Sequence, residues 1–480
     1  MRLFAHVCCK KRMLSINRSS SMYFEGPFNN QPLNEKESND MLRRSVLATT
    51  LIAFVCCAAY AELQNVEVGG SIRIRGNYYN LDSLGKSSWI EQRTRLSVKA
   101  DFTQDVSAFI EFDYYSGWGE DFRSNYLTGA DVRAANDENV RLYQGYIEAR
   151  DMWGTPLTVR VGRQELSFGS EWLVGVNDAA AEFRGLSFDA LRLTYAHDLF
   201  TIDAVAAKLA ETYGDFMDDD TDFYAVYFSY IGIEDITLDA YWMFVRDDGV
   251  VLDDRVNLHT IGLRGAGVIG GFDFDVEGAY QFGNIYGRPS ACPMGFGQAD
   301  IDYDSFGANV ELGYTFDVTW QPRIFGRFAY FGGGDNKHLK WYTNDRKLPF
   351  NRLFSNWEYT EFFANTDESN LLYYALGVGA MPTEALELSL VAAYFQVDQR
   401  ARDLGAWFWR DRAAKNLGWE LGLYADYHYS EDLVIRAGYA HFFGKRGLER
   451  NDFVLNGLAP LGGNRRDDYD YLFIETELSF

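Results

Sequence analysis

The sequence predicts an all-β protein: a transmembrane antiparallel up-and-down β-barrel of eighteen strands, with short periplasmic turns and long extracellular loops. Three observations predict it. Segments of spanning length alternate apolar and polar residues at period two from Glu67 to the end of the chain. Every second connection between those segments is only a few residues long. The last segment puts Leu472, Ile474, Thr476, Leu478 and the terminal Phe480 on one face and Glu475 and Glu477 on the other, and it ends on an aromatic residue. Aromatic residues make up 16% of the 480, while the mean hydropathy is only −0.25. Such a balance excludes a helical membrane protein and suits a barrel, whose apolar residues are diluted by alternation.

The front end reads as a targeting segment. Met41-Leu42-Arg43-Arg44 opens a basic region, Val46 to Ala59 is an apolar run too short for an ordinary spanning helix, and Ala59-Tyr60-Ala61 offers a small-x-small cleavage pattern. We therefore expect residues 1–40 to be a mis-assigned start or a disordered leader, 41–61 a signal peptide, and 62–480 the barrel. Removing residues 1–61 takes away Cys8, Cys9, Cys56 and Cys57 and leaves Cys292 alone, so an internal disulfide framework is excluded. It also takes away eight basic and four acidic residues. The remainder carries 37 Lys/Arg against 65 Asp/Glu, a net charge of −28, which argues against nucleic acid as a partner.

Taken in order, the expected strands are 66–79, 90–102, 107–116, 140–149, 157–164, 188–195, 200–208, 222–230, 236–246, 256–265, 271–282, 303–316, 321–331, 371–381, 385–397, 417–427, 433–443 and 471–480. The stretch from Asn139 to Tyr195 shows the plan most clearly. Leu157-Thr158-Val159-Arg160-Val161-Gly162 alternates, as does Phe188 to Tyr195, so that Arg160 and Arg192 share the polar side. Tiny connections such as Thr103 to Val106, Ala196 to Leu199, Gly232 to Asp235, Asp317 to Trp320, Pro382 to Glu384 and His428 to Asp432 separate pairs of strands. Long polar connections such as Gly117–Asn139, Gly283–Asp302, Gly332–Asn370, Asp398–Asn416 and Gly444–Asp470 lie between them. That asymmetry belongs to a bacterial outer-membrane barrel, and we expect a monomer facing outer-membrane lipid and lipopolysaccharide.

Parity assigns the two faces. Ile72, Ile74 and Tyr78, Leu96, Val98, Ala100 and Phe102, Phe272, Phe274, Val276 and Tyr280, and Ile435, Ala437 and Tyr439 form the lipid-facing band. Charge in that band would cost about 2–4 kcal/mol per residue at the midplane, so the opposite parity faces the lumen. The lumenal set carries Arg73, Arg75, Arg93, Arg95, Lys99, Arg160, Arg192, Arg323, Arg327 and Arg436. It also carries Glu111, Asp113, Asp203, Asp239, Asp273, Asp275, Glu277, Glu311, Glu387, Glu420 and Asp426. Closure of the barrel would set Arg73 and Arg75 beside Glu475 and Glu477. For each arginine, a cross-wall ion-pair ladder competes with a role in holding sugar hydroxyls and carboxylates. Charged rings of this kind set pore selectivity.

The loops add two clues. Gly332–Asn370 holds Lys337, Lys340, Arg346, Lys347 and Arg352 with Trp341, Tyr342, Phe350, Phe354 and Trp357, either a landing surface for an anionic saccharide or a packed loop core. Asp215 with Asp218-Asp219-Asp220 is an acidic tip without the ligand spacing of an EF-hand, and we read it as solvated. Catalytic signals are thin. His428 and Ser430 could share a face, yet they sit at a predicted turn with no third group, and no HExxH, GxSxG or Walker sequence occurs. We expect no enzyme activity, no metal and no cofactor.

Several blocks carry a family resemblance. Val140 to Ala149 (VRLYQGYIEA), Gly162 to Gly169 (GRQELSFG), Ser187 to Tyr195 (SFDALRLTY) and Pro349 to Phe354 (PFNRLF) resemble signature blocks of the alginate-export family of outer-membrane barrels. The resemblance implies an eighteen-stranded barrel, which agrees with the count above. It further implies passive export of an anionic poly- or oligosaccharide through an arginine-containing constriction, with periplasmic export partners. Arg160 and Arg192 lie in matching blocks and inherit the pore role, and Arg163 matches as well. The competing readings are a general or carbohydrate-diffusion porin and, further off, an outer-membrane adhesin or enzyme.

Overall fold

The computed structural model describes residues 64–81, 85–118, 140–178, 183–211, 220–248, 255–286, 301–334, 346–361, 369–399, 414–449 and 468–480. The expected signal segment, Cys292 and most of the acidic tip at Asp215 to Asp220 lie outside them.

The strands are β1 (Asn65–Leu81), β2 (Gly85–Asp101), β3 (Val106–Gly117), β4 (Val140–Ala149), β5 (Leu157–Gln164), β6 (Phe188–His197), β7 (Phe200–Ala210), β8 (Thr221–Ile233) and β9 (Ile236–Asp248). They continue with β10 (Arg255–Ile269), β11 (Phe272–Tyr286), β12 (Ile301–Thr315), β13 (Arg323–Phe331), β14 (Arg346–Leu348), β15 (Leu371–Thr383), β16 (Leu386–Val397), β17 (Asn416–His428), β18 (Leu433–Gly444) and β19 (Tyr469–Ser479). Each wall strand pairs antiparallel with its neighbours in sequence, and β19 returns to pair with β1 from Ser71↔Ser479 to Leu81↔Tyr469. The three-residue β14 stands apart: it pairs parallel with β12, while β13 pairs directly with β15. The described wall is therefore a closed ring of the eighteen strands the sequence predicts. The parallel ribbon is an addition that its short, mixed sequence gives no reason to expect.

Alternation decides the faces as expected. Leu96, Val98, Phe272, Val276, Tyr280 and Tyr439 are exposed on the outer wall, whereas Arg73, Arg75, Arg93 and Arg95 are buried inside it. The first hairpin runs further than predicted, with β1 and β2 paired out to Leu81↔Gly85. Beyond Tyr79 the chain offers Asn80, Lys86, Ser87 and Ser88, so the hydrophobic period fades while the backbone ladder continues. Pairing does not need apolar side chains once the strand has left the hydrocarbon. At the opposite end, Asp151 and Trp153 take positive φ (47° and 56°) in the tight 3-10 turn that reverses the chain from β4 to β5.

The lumen departs from a uniformly wet interior. Leu166, Phe168, Trp172, Leu173 and Val174, on the connection after β5, and Phe350 and Tyr359, on the connection before β15, are buried. They pack on inward wall residues Phe188, Phe223, Tyr227, Phe331, Tyr373 and Phe395 in one apolar cluster. A barrel of this strand number leaves a channel too wide for wall side chains to fill, so loops that fold inward find apolar wall residues to cover.

Outward Leu263, 68% exposed at the middle of β10, tests the membrane band. Leu263→Arg should destabilise the folded barrel by about 2–4 kcal/mol in phospholipid vesicles, read by equilibrium denaturant titration. An unchanged unfolding midpoint would take Leu263 out of the hydrocarbon.

The charged lumen and its inward loops

The seam between β1 and β19 is where the candidate arginines first meet acids. In register, Arg73 lies opposite Glu477 and Arg75 opposite Glu475. Glu475 then gathers three guanidinium groups: Arg73 Nη2 at 2.9 Å, Arg75 Nη1 at 3.7 Å and Arg436 Nη1 at 2.9 Å. Arg436 also reaches Glu477 at 2.6 Å. Glu475 is 1% exposed, so one carboxylate holds together two edges of the sheet and a third strand.

On β2, Arg93 approaches Asp178 at 3.4 Å, and Arg95 lies 3.5 Å from Glu165 and 3.8 Å from Asp113. Aromatic faces complete the sites, with Phe183 4.5 Å from Arg73, Phe473 4.0 Å from Arg75 and Tyr143 3.8 Å from Arg95. Arg73 also donates to the Asp178 carbonyl at 2.9 Å. Arg73, Arg93 and Arg95 therefore strut the connection after β5, while Arg75 stays in the seam. Gly185, at φ +79°, allows that approach, since a Cβ there would collide with the Arg95 guanidinium and the Tyr143 hydroxyl.

A second charged set rings the end of the lumen nearest the short turns. Lys99 sits 3.6 Å from Asp101 and 3.9 Å from Glu67. Arg160 and Arg192 are direct cross-strand neighbours, and each is drawn aside by an acid: Glu148 at 2.5 Å for Arg160, Asp203 at 2.8 Å for Arg192. Arg323 bridges Asp273 at 2.5 Å and Glu311 at 2.8 Å, and Arg327 shares Glu311 at 2.8 Å. Sequence parity did not single out Arg264, which joins Asp239 at 2.8 Å and Asp275 at 2.6 Å, although apolar Ile261 and Leu263 on the opposite parity were the signal to use. Side chains in this belt stay accessible, with Arg160 27% exposed and Arg327 35%, against 0% for Arg75. Glu111 accepts from Gln144 at 2.9 Å, and Asp113 is buried beside Arg95. Arg163 points away from the lumen: it shares the parity of exposed Val161 and pairs with Asp189 at 2.7 Å on the outer side.

The two inward loops clasp each other across the lumen. Gly175 N donates to Phe354 O at 2.9 Å, Phe354 N to Leu173 O at 2.8 Å, and Trp357 Nε1 to Ser170 O at 2.5 Å. The wall grips them as well. Gln281 acts as a peptide mimic, donating from Nε2 to Asn351 O and accepting from Asn351 N, both at 2.7 Å. Tyr359 donates to Asn309 at 3.0 Å and Thr360 to Glu420 at 2.5 Å. Trp172 stacks on Phe350 at 5.7 Å and Phe331 at 6.1 Å. Of the two readings of this loop, a packed core is thus the one observed for Phe350, Phe354 and Trp357. Lys347 turns to Asp304, Arg352 folds back onto Trp357 O, and Lys337, Lys340, Trp341 and Tyr342 lie outside the described residues. Burial raises the proton affinity of the loop carboxyls Glu165 and Glu361, against the pull of nearby arginines. Ser430 Oγ accepts from Leu433 N at 3.1 Å and serves the turn.

A family model described as Alginate export matches residues 64–445. Among solved structures, Pseudomonas aeruginosa OccK11 (OpdR) aligns with a TM-score of 0.52 at 12% identity, covering 86% of this chain and 96% of that one. Pseudomonas aeruginosa OpdL gives 0.52 at 12% identity, with 87% and 99% covered. Pseudomonas aeruginosa OccK1 (OpdK) gives 0.51 at 12% identity, with 86% and 98% covered. At that identity the likeness is one of fold. A sequence search against curated proteins finds no match.

Glu475→Ala would remove the carboxylate that Arg73, Arg75 and Arg436 share in a buried seam. It should cost about 3–5 kcal/mol, the range for breaking one side of a buried ion pair. Glu477→Ala, which removes the more exposed carboxylate, should cost far less. Heat-modifiable electrophoretic mobility and thermal unfolding of both variants check the difference. Equal effects would remove Glu475 from the centre of the seam.

Proposed function

The chain belongs to the alginate-export family, and on that premise we propose that it is a passive, monomeric outer-membrane channel for anionic poly- or oligosaccharide. A closed outer-membrane barrel with porin-like architecture supports a transport role over catalysis. The observation that carries the finer reading is the belt of partly exposed arginines, Arg160, Arg192, Arg323, Arg327 and Arg436, around the lumen near the short turns. Each guanidinium keeps donors beyond those its acid partner uses, so a passing uronate carboxylate can exchange contacts along the belt without being held at one site. Conduction demands that weakness: a site that binds tightly does not release. The buried Arg73, Arg93 and Arg95 act in this scheme as supports for the loop that narrows the passage, and the buried Arg75 as part of the seam. Lys99 sits at the rim, and Glu111 and Asp113 tune the field beside Arg95. Outer-leaflet lipopolysaccharide surrounds the barrel, and periplasmic export partners would meet it at the short turns.

A general carbohydrate-diffusion porin is the second reading. It is favoured by the pairing of each belt arginine with a carboxylate within 3 Å, which leaves a field of mixed sign.

Single-channel recording in a planar bilayer under a salt gradient, with and without oligoalginate, separates the two. The exporter reading expects anion-selective reversal and saturable block. Arg160→Glu or Arg192→Glu should weaken that block about tenfold or more, the worth of one charge-assisted hydrogen bond. Unselective or cation-selective current untouched by oligoalginate would make the diffusion porin the answer.

A further inference from the structure

One cavity in the lumen does not match a polyanion. It lies between the end of the second inward loop and the wall made by β13, β15, β16 and β17, and has a volume of about 320 Å³. That is the scale of small-ligand sites. Its apolar surfaces are the rings of Phe325, Tyr359, Tyr373 and Tyr424. Its polar surfaces are dominated by Glu358, Glu361 and Glu420 with Thr360. The one arginine in its wall, Arg327, shares Glu311 at 2.8 Å and lies 4.9 Å over Phe325, so a single cation stands against three carboxylates. A uronate placed here would set its carboxylate among three others, which like-charge repulsion opposes.

Hydrogen bonding points the same way. Glu361 faces the charge of Arg75 and is bonded to the Tyr424 hydroxyl, and its Oε2 is sealed off from the cavity. Thr360 and Tyr359 are fixed by Glu420 and Asn309, so the walls on either side are set before any ligand arrives. Flat aromatic faces with acceptor carboxylates between them match the apolar ring faces and outward hydroxyls of a pyranose.

We propose that this cavity is a lumenal subsite for an uncharged, hydroxyl-rich sugar unit, with the lining glutamates Glu358, Glu361 and Glu420 accepting from sugar hydroxyls and the tyrosine rings stacking on the ring face. The proposal deepens the saccharide-channel reading and rests on it. It implies that the saccharide carried by this chain is not a uniform polyuronate: neutral units dwell in the cavity while acidic ones use the arginine belt.

The test pairs direct binding with conductance. Saturation-transfer NMR on detergent-solubilised full-length protein is run with a neutral β-1,4-glucan tetrasaccharide, its glucosamine counterpart and a uronate tetramer. The neutral tetrasaccharide should bind, and Glu361→Gln should weaken it about tenfold, the loss of one hydrogen bond to a charged acceptor, while leaving uronate block of single-channel current unchanged. Retained heat-modifiable mobility confirms that the variant folds, and Tyr424→Phe, which leaves the ring in place, should weaken binding less. The proposal is overturned if the neutral tetrasaccharide does not bind, if Glu361→Gln leaves its binding unaltered, or if the glucosamine or uronate tetramer binds more tightly. Absence of any conductance would instead remove the channel reading, because NMR binding does not depend on flux.

Discussion

The hydrocarbon of a membrane offers no partner for a backbone N–H or C=O, so a sheet that crosses it has to close on itself. In this chain closure occurs where β1 meets β19, an eleven-pair ladder from Ser71↔Ser479 to Leu81↔Tyr469. Everything else about the barrel follows from that seam. Closure fixes the register, register fixes parity, and parity sends each charged side chain inward or each apolar one outward. The seam also holds a buried ion cluster, with Glu475 held by Arg73, Arg75 and Arg436 from two flanking strands. A one-residue slip of β19 would carry Glu475 to the lipid side and leave three guanidinium groups unpaired inside.

A ring this wide creates a second problem, because its lumen is larger than wall side chains can fill. The protein meets it with two connections that leave the wall at β5 and β13, nearly opposite each other in the ring, and join through backbone hydrogen bonds around Leu173 and Phe354. Loop backbone inside a membrane cylinder needs polar partners just as strands do. Gln281 satisfies both backbone polar groups of Asn351, and Arg73, Arg93 and Arg95 satisfy the carbonyls of Asp178, Phe183 and Arg184. The result divides the interior by chemistry. An apolar cluster fills the flank around Phe188, Phe223 and Phe331, a charged belt lines the end near the short turns, and an acidic, ring-lined cavity lies under Tyr359. Such an interior offers contacts of differing character in succession, not one uniform lining.

Much of this was legible in the sequence. Period-two alternation, the rhythm of short and long connections and the final aromatic residue determined the class, the strand number, the lipid-facing band and the neighbourhood of Arg73 and Arg75 with Glu475 and Glu477. These are local or strictly periodic properties, and strand geometry maps them onto space without knowledge of the rest of the fold. Arg264 was missed although its parity was readable, and the ends of the first hairpin were drawn short because polar residues carry no period.

Tertiary structure alone decided which arginines are accessible. Arg75 and Arg160 look alike in their strands, yet one is sealed under Phe473 and the other is open. The difference lies in loops whose path depends on contacts between residues nearly two hundred positions apart, such as Trp357 with Ser170. The same contacts assemble the cavity at Glu361 from four strands and a loop end. No periodicity along the chain encodes a meeting of that kind, because it is set by the diameter of the closed ring and by which polar groups the loops find inside it.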